Sequence, residues 1–391
     1  MARYIMKLKQ DAHPDAVMQA SFASDNSPQI KISKLYPSTS RDADSGADAQ
    51  VEADDVQSEI ARIRAELDRV YVVEVSDSRA AETVVELSQH DDVESIEPDR
   101  EVEEYTAIPN DSYWTELYGL HKLNCVDAWD IAQGNDVLVA VVDSGVDVKH
   151  PDLAGNIWSD GNGNNGYNEV DHNYDVTDTS THGTHVSGTI GAILNNGPGV
   201  VGVAPKCRIV PFMGLKNGRG PLSVLLVCIR KAVDMGVKVI NNSWGPGNRN
   251  PDTDLVLRYA YLHDVTVVFA AGNNGRVLRA DEIATNPYVI SVAAVDNNDR
   301  RASYSNFGNE VTVSAPGSSI ISTVPNNNYG WKSGTSMAAP HVTGLVALLL
   351  SKKSSLKPDD IKAILQQSAD PINDNTIGAG RINAKKALDM V

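Results

Sequence analysis

Three short stretches hold residue types suited to acyl transfer: Asp143 in VAVVDSGVD, His182 in THGTHVSG and Ser336 in SGTSMAAPH. A serine hydroxyl is a weak nucleophile until a neighbouring imidazole takes its proton. A carboxylate beside that imidazole fixes the ring and stabilises the imidazolium that forms. The three residues therefore offer a nucleophile, a base and an orienting acid. His185, three residues after His182, reads as structural, because the zinc-protease pair needs histidines four apart with a glutamate between them.

Each stretch sits where a strand or a Gly-rich turn passes into a helix, which exposes a side chain at the edge of a sheet. From about Ala107 the chain alternates strand-like and helix-like segments. Continuous apolar runs at 137–143, 237–243, 265–272 and 288–295 read as strands buried on both faces, as in a parallel sheet. Residues 222–235 read as a helix between them. Ser336–Lys352 and Pro358–Ser368 read as further helices, the first opening with Ser336 and directing its positive end at the reacting centre. Gly334, Ala338 and Ala339 leave room for a peptide backbone, and Pro340 is expected in the first helical turn.

These motifs, in the order Asp, His, Ser, resemble those of the subtilisin-like serine proteases, the thermitase-like branch above all, over roughly residues 107–391. The resemblance implies an α/β fold of three layers about a mostly parallel central sheet, and a serine endopeptidase acting through an acyl-enzyme. It assigns Asn273 in FAAGNNG to the oxyanion hole, with the Ser336 N–H as second donor. Ser243, Trp244 and Gly245 match one substrate-pairing strand, and Gly218, Arg219 and Gly220 within GLKNGRG match its partner, so polypeptide substrates would bind by strand addition.

Counting back from Pro287 places Asp281 or Glu282 near the floor of the first specificity pocket. An acid there favours Arg or Lys before the cut bond; a solvated loop carboxylate is the alternative. Against a basic preference, no Lys or Arg lies between Glu101 and His121, where self-cleavage is expected. An esterase is disfavoured because Gly334–Ala338 lacks the G-x-S-x-G elbow. The His182 motif disfavours the acid-active relatives that use Glu and Asp with Ser.

Ahead of this domain, strands are expected at 3–9, 30–36, 70–75 and 93–97, with a helix over Arg79–His90 that offers Val84, Val85 and Leu87 for packing. The spacing resembles the family's small α+β antiparallel-sheet pro-domain, an intramolecular inhibitor and folding chaperone. It would occupy residues 1–106, leave 107–391 as the catalytic domain, and be cut off near Thr106–Ala107. The alternative is a permanently pro-domain-locked zymogen with a regulatory or binding role. Pro37–Glu59 carries seven acids against Arg41 alone, which reads as a disordered insert. Ser58 is then expected to cap a helix with Ile60, Ile63 and Leu67 on one face.

A net charge of −17 over 391 residues makes nucleic acid and anionic membrane surfaces poor partners, and 41% hydrophobic content is ordinary for a soluble, here expectedly monomeric, protein. MARYIMKLKQDAHPD lacks a signal-peptide core, so the chain as written is expected inside the cell, or outside it if a leader has been removed. Residues 344–350, the longest later apolar run, are too few to span a membrane. Cys125, Cys207 and Cys228 read as buried reduced thiols.

The resemblance also implies a structural Ca²⁺ site built from Asp111, Asp152, Asn196 and the carbonyls of Leu194, Pro198 and Val200. Hard oxygen donors in that mixture suit calcium. A second loop, 159–171, alternates Asp160, Asn162 and Asn164 as calcium loops do, but its glycine falls one place late at Gly166. A Gly/Asn turn without metal is the competing reading.

Overall fold

A computed structural model describes residues 2–17, 30–35, 53–99, 108–245 and 247–391. Most of the acidic insert and the expected cut at Thr106–Ala107 lie outside the described residues. The chain divides into two compact units, Met1–Tyr105 and Thr106–Val391.

The first unit is an antiparallel sheet of β1 (Ala2–Leu8), β2 (Ile30–Lys34), β3 (Val70–Val75) and β4 (Val93–Pro98), in the order β2-β3-β1-β4. Helices α1 (Ala53–Leu67) and α2 (Ala80–Ser88) complete it. Met6, Leu8, Val73 and Leu87 are fully buried in its core. Two expectations are corrected. Helix α1 starts at Ala53, so Ser58 lies inside it and is not its cap; Ile60, Ile63 and Leu67 remain exposed. On α2 the helical period turns Thr83 and Leu87 inward and leaves Val85 at the surface.

The second unit is built on seven parallel strands: β5 (Leu138–Asp143), β6 (Tyr167–Asn168), β7 (Arg208–Met213), β8 (Val239–Asn242), β9 (Thr266–Ala270), β10 (Val289–Val295) and β11 (Val313–Pro316). Their order is β11-β10-β9-β8-β5-β7-β6, every pair being parallel. Strand β5 shows why the runs are continuously apolar. Val139 and Val141 enter one core while Ala140 and Val142 enter the other, on the opposite face.

The first core is covered by α3 (His182–Gly191) and α6 (Thr335–Lys352), the second by α4 (Leu222–Asp234) and α5 (Pro251–Leu262). The result is a helix–sheet–helix sandwich. An antiparallel hairpin, β12 (Ile320–Val324) and β13 (Asn328–Lys332), packs on α3. After β5 the chain builds β6 and β7 on one side, then returns to place β8 on the other. That reversal opens a crevice at the carboxyl ends of β5 and β8, where open α/β sheets bind ligands. Among the described residues, no helix is long and apolar enough to cross a membrane, and all three cysteines are buried and unpaired.

Candidate active site

Asp143 is the last residue of β5 and is 0% exposed. Its Oδ1 accepts from His182 Nδ1 at 2.8 Å and from the Ser144 N–H at 2.8 Å, and its Oδ2 lies 3.0 Å from the same imidazole nitrogen. His182 opens α3. Burial disfavours its charged form, but the charge and hydrogen bond of Asp143 outweigh that, so its proton affinity is raised. Gly183 is required here, because a Cβ would strike the Gly145 carbonyl.

Thr335 and Ser336 open α6. Ser336 Oγ donates to the Ser243 carbonyl at 2.9 Å, and Ser243 Oγ donates back to the Ser336 carbonyl at 2.9 Å. Pro340 accounts for the second bond. It lies in the second helical turn, not the first as expected, and its missing N–H leaves the carbonyl four residues earlier, that of Ser336, without a helical donor. Ser243 fills the gap and ties the Ser336 backbone to the end of β8.

Asn273 follows β9. Its Oδ1 accepts from the Thr335 N–H at 2.8 Å and from Thr335 Oγ1 at 2.9 Å, which leaves Nδ2 to face the cleft. A Cβ at Gly334 would sit 3.3 Å from Asn273 Nδ2 and 3.6 Å from Ser336 N. Both donors thus border one small space that glycine keeps open.

Asp143, His182, Asn273 and Ser336 line one open cleft of about 660 Å³. The cleft also takes in Gly218, Arg219 and Gly220 on one edge and Ser243, Trp244 and Gly245 on the other. The two remaining pocket residues, Asp281 and Glu282, do not line this cleft. Asp281 is exposed and ion-paired with Arg279. Glu282 is buried behind the cleft wall, where Arg276 binds both of its oxygens and the Arg279 N–H donates at 2.9 Å. Its burial alone would raise its pKa, but these donors together lower it. It is a satisfied carboxylate that lines a small cavity with Trp244, Gly245, Ala270 and Gly272 of the cleft wall.

Three neighbours escape a reading of the sequence. Asp178 accepts from Ser144 Oγ at 2.8 Å, Thr184 Oγ1 at 2.6 Å and the N–H groups of Ser180, Thr181 and Thr184, locking the loop before His182 to the end of β5. Its place four residues before His182, among Ser and Thr, is the local sign of such a turn. Thr335 orients Asn273 as described. Lys332, at the end of β13, lines the cleft and donates to Thr181 Oγ1 at 2.9 Å. His185 is structural, as expected: its Nε2 bonds the carbonyls of Ile320 and Gly330 at 3.0 Å, and burial pushes its pKa down to about 3.

The residues expected to hold calcium also converge. Asp111 and Asp152 are buried at 3% and 0% exposure. The Gly197 and Gly199 carbonyls accept from the N–H groups of Ser112 and Tyr113. Among the described residues no donor reaches the alternate carbonyls of Leu194, Pro198 and Val200, and Asp111 Oδ1 and Asn196 Oδ1 are buried without partners. Asn196 Nδ2 and the Val200 N–H bond the two oxygens of Asp152 at 2.6 and 2.9 Å. A side chain at Gly199 would collide with Asp152 and Tyr329. In the second loop, by contrast, Asp160 already accepts from the N–H groups of Asn162 and Asn164 and from Asn164 Nδ2, which is the pattern of a metal-free turn.

Comparison with known proteins bears on this geometry. Residues 134–380 match the subtilase family (peptidase S8). The chain belongs to that family. It is 42% identical over 286 residues to the thermophilic serine proteinase of Bacillus sp. strain AK1, covering 72% of this chain and 69% of that one. It is 39% identical over 284 residues to thermitase of Thermoactinomyces vulgaris, covering 72% and 99%. A solved protease chain from Pseudoalteromonas arctica superposes with a TM-score of 0.67 at 31% identity, covering 73% of this chain and 99% of that one. The protein is a subtilisin-family serine endopeptidase and acts on polypeptides.

Proposed function

We propose that Ser336 is the nucleophile, His182 the general base, Asp143 its orienting acid, and Asn273 with the Ser336 N–H the oxyanion hole. The convergence of these four residues on one cleft supports this most strongly. Ser336 Oγ turns from the Ser243 carbonyl toward His182 Nε2 and attacks the peptide carbonyl carbon. Its proton passes to His182 and then to the leaving amine, while the oxyanion accepts from Asn273 and Ser336 N. Water, deprotonated by His182, releases the acyl group. The substrate backbone lies between Gly218–Gly220 and Ser243–Gly245. Because Glu282 is held by Arg276 and Asp281 faces solvent, the first pocket takes an uncharged side chain.

The unit Met1–Tyr105 acts as an intramolecular inhibitor, cut off by the enzyme near Thr106–Ala107, and the mature enzyme is a monomer. The segment around Asp111 and the loop 194–200 hold Ca²⁺. Its charge would offset Asp111 and Asp152, and the orphaned oxygens of Asp111 and Asn196, with the free loop carbonyls, form a fitting donor set. Intact mass over time, with calcium present, tests the central claim. Wild type is expected to lose about 106 residues (the notional cut position), while Ser336→Ala stays whole. Equal cutting of both would refute self-processing.

A further inference from the structure

The charges around the cleft run against those of the chain as a whole. In a protein of net charge −17, the cleft-lining side chains other than His182 that bear charge are Asp143, Arg219 and Lys332. Asp143 is buried and engaged with His182, and Glu282, behind the wall, is engaged with Arg276. The two cations have no such partner. Lys216, three residues before Arg219, is ion-paired with Asp171, whereas Arg219 is exposed and has no carboxylate within salt-bridge distance among the described residues. Lys332 is half-buried and bonds only the neutral hydroxyl of Thr181.

The two reach the cleft from different elements, Arg219 from the loop after β7 and Lys332 from the end of β13. On the proposed reading, Arg219 belongs to an edge that pairs with the substrate backbone on the acyl side of the cut bond. Lys332 is held by the chain neighbour of His182, the group that hands its proton to the leaving amine. Such cations, lining a cleft with low-dielectric walls, attract anionic side chains and penalise cationic ones.

We propose that this enzyme selects peptides with acidic residues flanking an uncharged residue at the cut bond, Arg219 reading the acyl side and Lys332 the leaving-group side. The inference rests on the catalytic reading above. The test uses the full-chain protein after incubation with calcium, and peptides in which one Glu or one Gln occupies each position from four before to three after the cut. The quantity read is the Glu:Gln ratio of kcat/KM within each enzyme, so general changes in activity cancel.

Wild type is expected to give ratios of about three to ten at one or more positions on each side, shrinking as salt rises. Arg219→Gln should bring only the acyl-side ratio to one, and Lys332→Gln only the leaving-side ratio. Arg219→Glu and Lys332→Glu should push the Glu:Gln ratio at the same positions below one. Ratios near one throughout in wild type, or ratios that persist in the variants, would overturn the inference while leaving the peptidase reading intact. No cleavage of any peptide, the Gln series included, would overturn both.

Discussion

Asp143 and Asp111 are both carboxylates buried in the same unit, yet their oxygens fare differently. Asp143 has His182 and the Ser144 N–H on its oxygens. Asp111 accepts from the Asn195 N–H at 3.1 Å on one oxygen; the other has no partner, and a second buried acid, Asp152, stands nearby. Burying an ionised carboxylate costs several kcal/mol unless charge or hydrogen bonds compensate. The catalytic site carries its compensation within the protein and is complete as folded. The loop site leaves one oxygen of Asp111 uncompensated, and on the proposed reading a cation completes it. If that reading holds, buried carboxylates of one unit serve both a preorganised site and a stability clamp.

The largest expected effect tests the first half of that contrast. If the catalytic polar groups are preorganised, Asn273→Ala should lower kcat by about 100- to 1,000-fold, a range that itself comes from subtilisin, with KM nearly constant. Thr335→Val, which frees the amide to rotate, should lower kcat less. A kcat for Asn273→Ala within a few-fold of wild type, measured on a chromogenic peptide, would remove Asn273 from the site.

The second half is tested by metal removal. At calcium a hundredfold above its Kd, chelation should cost about 3 kcal/mol, or roughly 5–10 °C of Tm. Asp111→Asn should abolish that dependence without lowering the Tm of the chelated protein, because it removes a carboxylate that lacks compensation. The pH dependence should also invert. Burial, joined by the Asp152 charge, raises the Asp111 pKa against the pull of the loop N–H groups. Its ionised form is therefore penalised in the fold, and the penalty is relieved as pH falls through the raised value toward the ordinary carboxylate range near 4. Chelated protein should gain stability from this group over that window, while calcium-loaded protein should lose it as protons displace the ion. Parallel slopes in calorimetry would contradict the contrast.

What could be read from the sequence divides along physical lines. The Asp143, His182 and Ser336 motifs are legible because strand, turn and nucleophile are contiguous, and the apolar runs announce a sheet buried on both faces. Asp111, Asp152 and Asn196 could be gathered only through resemblance, since nothing local says that three distant segments meet. Whether Glu282 acts as a pocket charge or a loop carboxylate is not legible, because its fate depends on Arg276 folding back across a loop. The role of Pro340 is illegible for the same reason, as it depends on the Ser243 hydroxyl just after β8. Helix α1 shows the remaining weakness: a plausible cap at Ser58 did not fix where the helix begins.

The smallest effect is the sharpest probe of whether the triad is complete without help. Catalysis needs neutral His182, and Asp143 raises its proton affinity beyond what burial takes away. The acid limb of kcat/KM should therefore lie above the ordinary imidazole value near 6.5. The same raised affinity stabilises the fold below the unfolded-state pKa and is lost as pH rises through the folded one. Lys332 opposes protonation through its charge. Lys332→Gln should move the acid limb further up, and added salt should shrink the difference between the two enzymes. If the limb moved down instead, Lys332 would be stabilising the imidazolium indirectly through Thr181, and the site would not be complete without that half-buried cation.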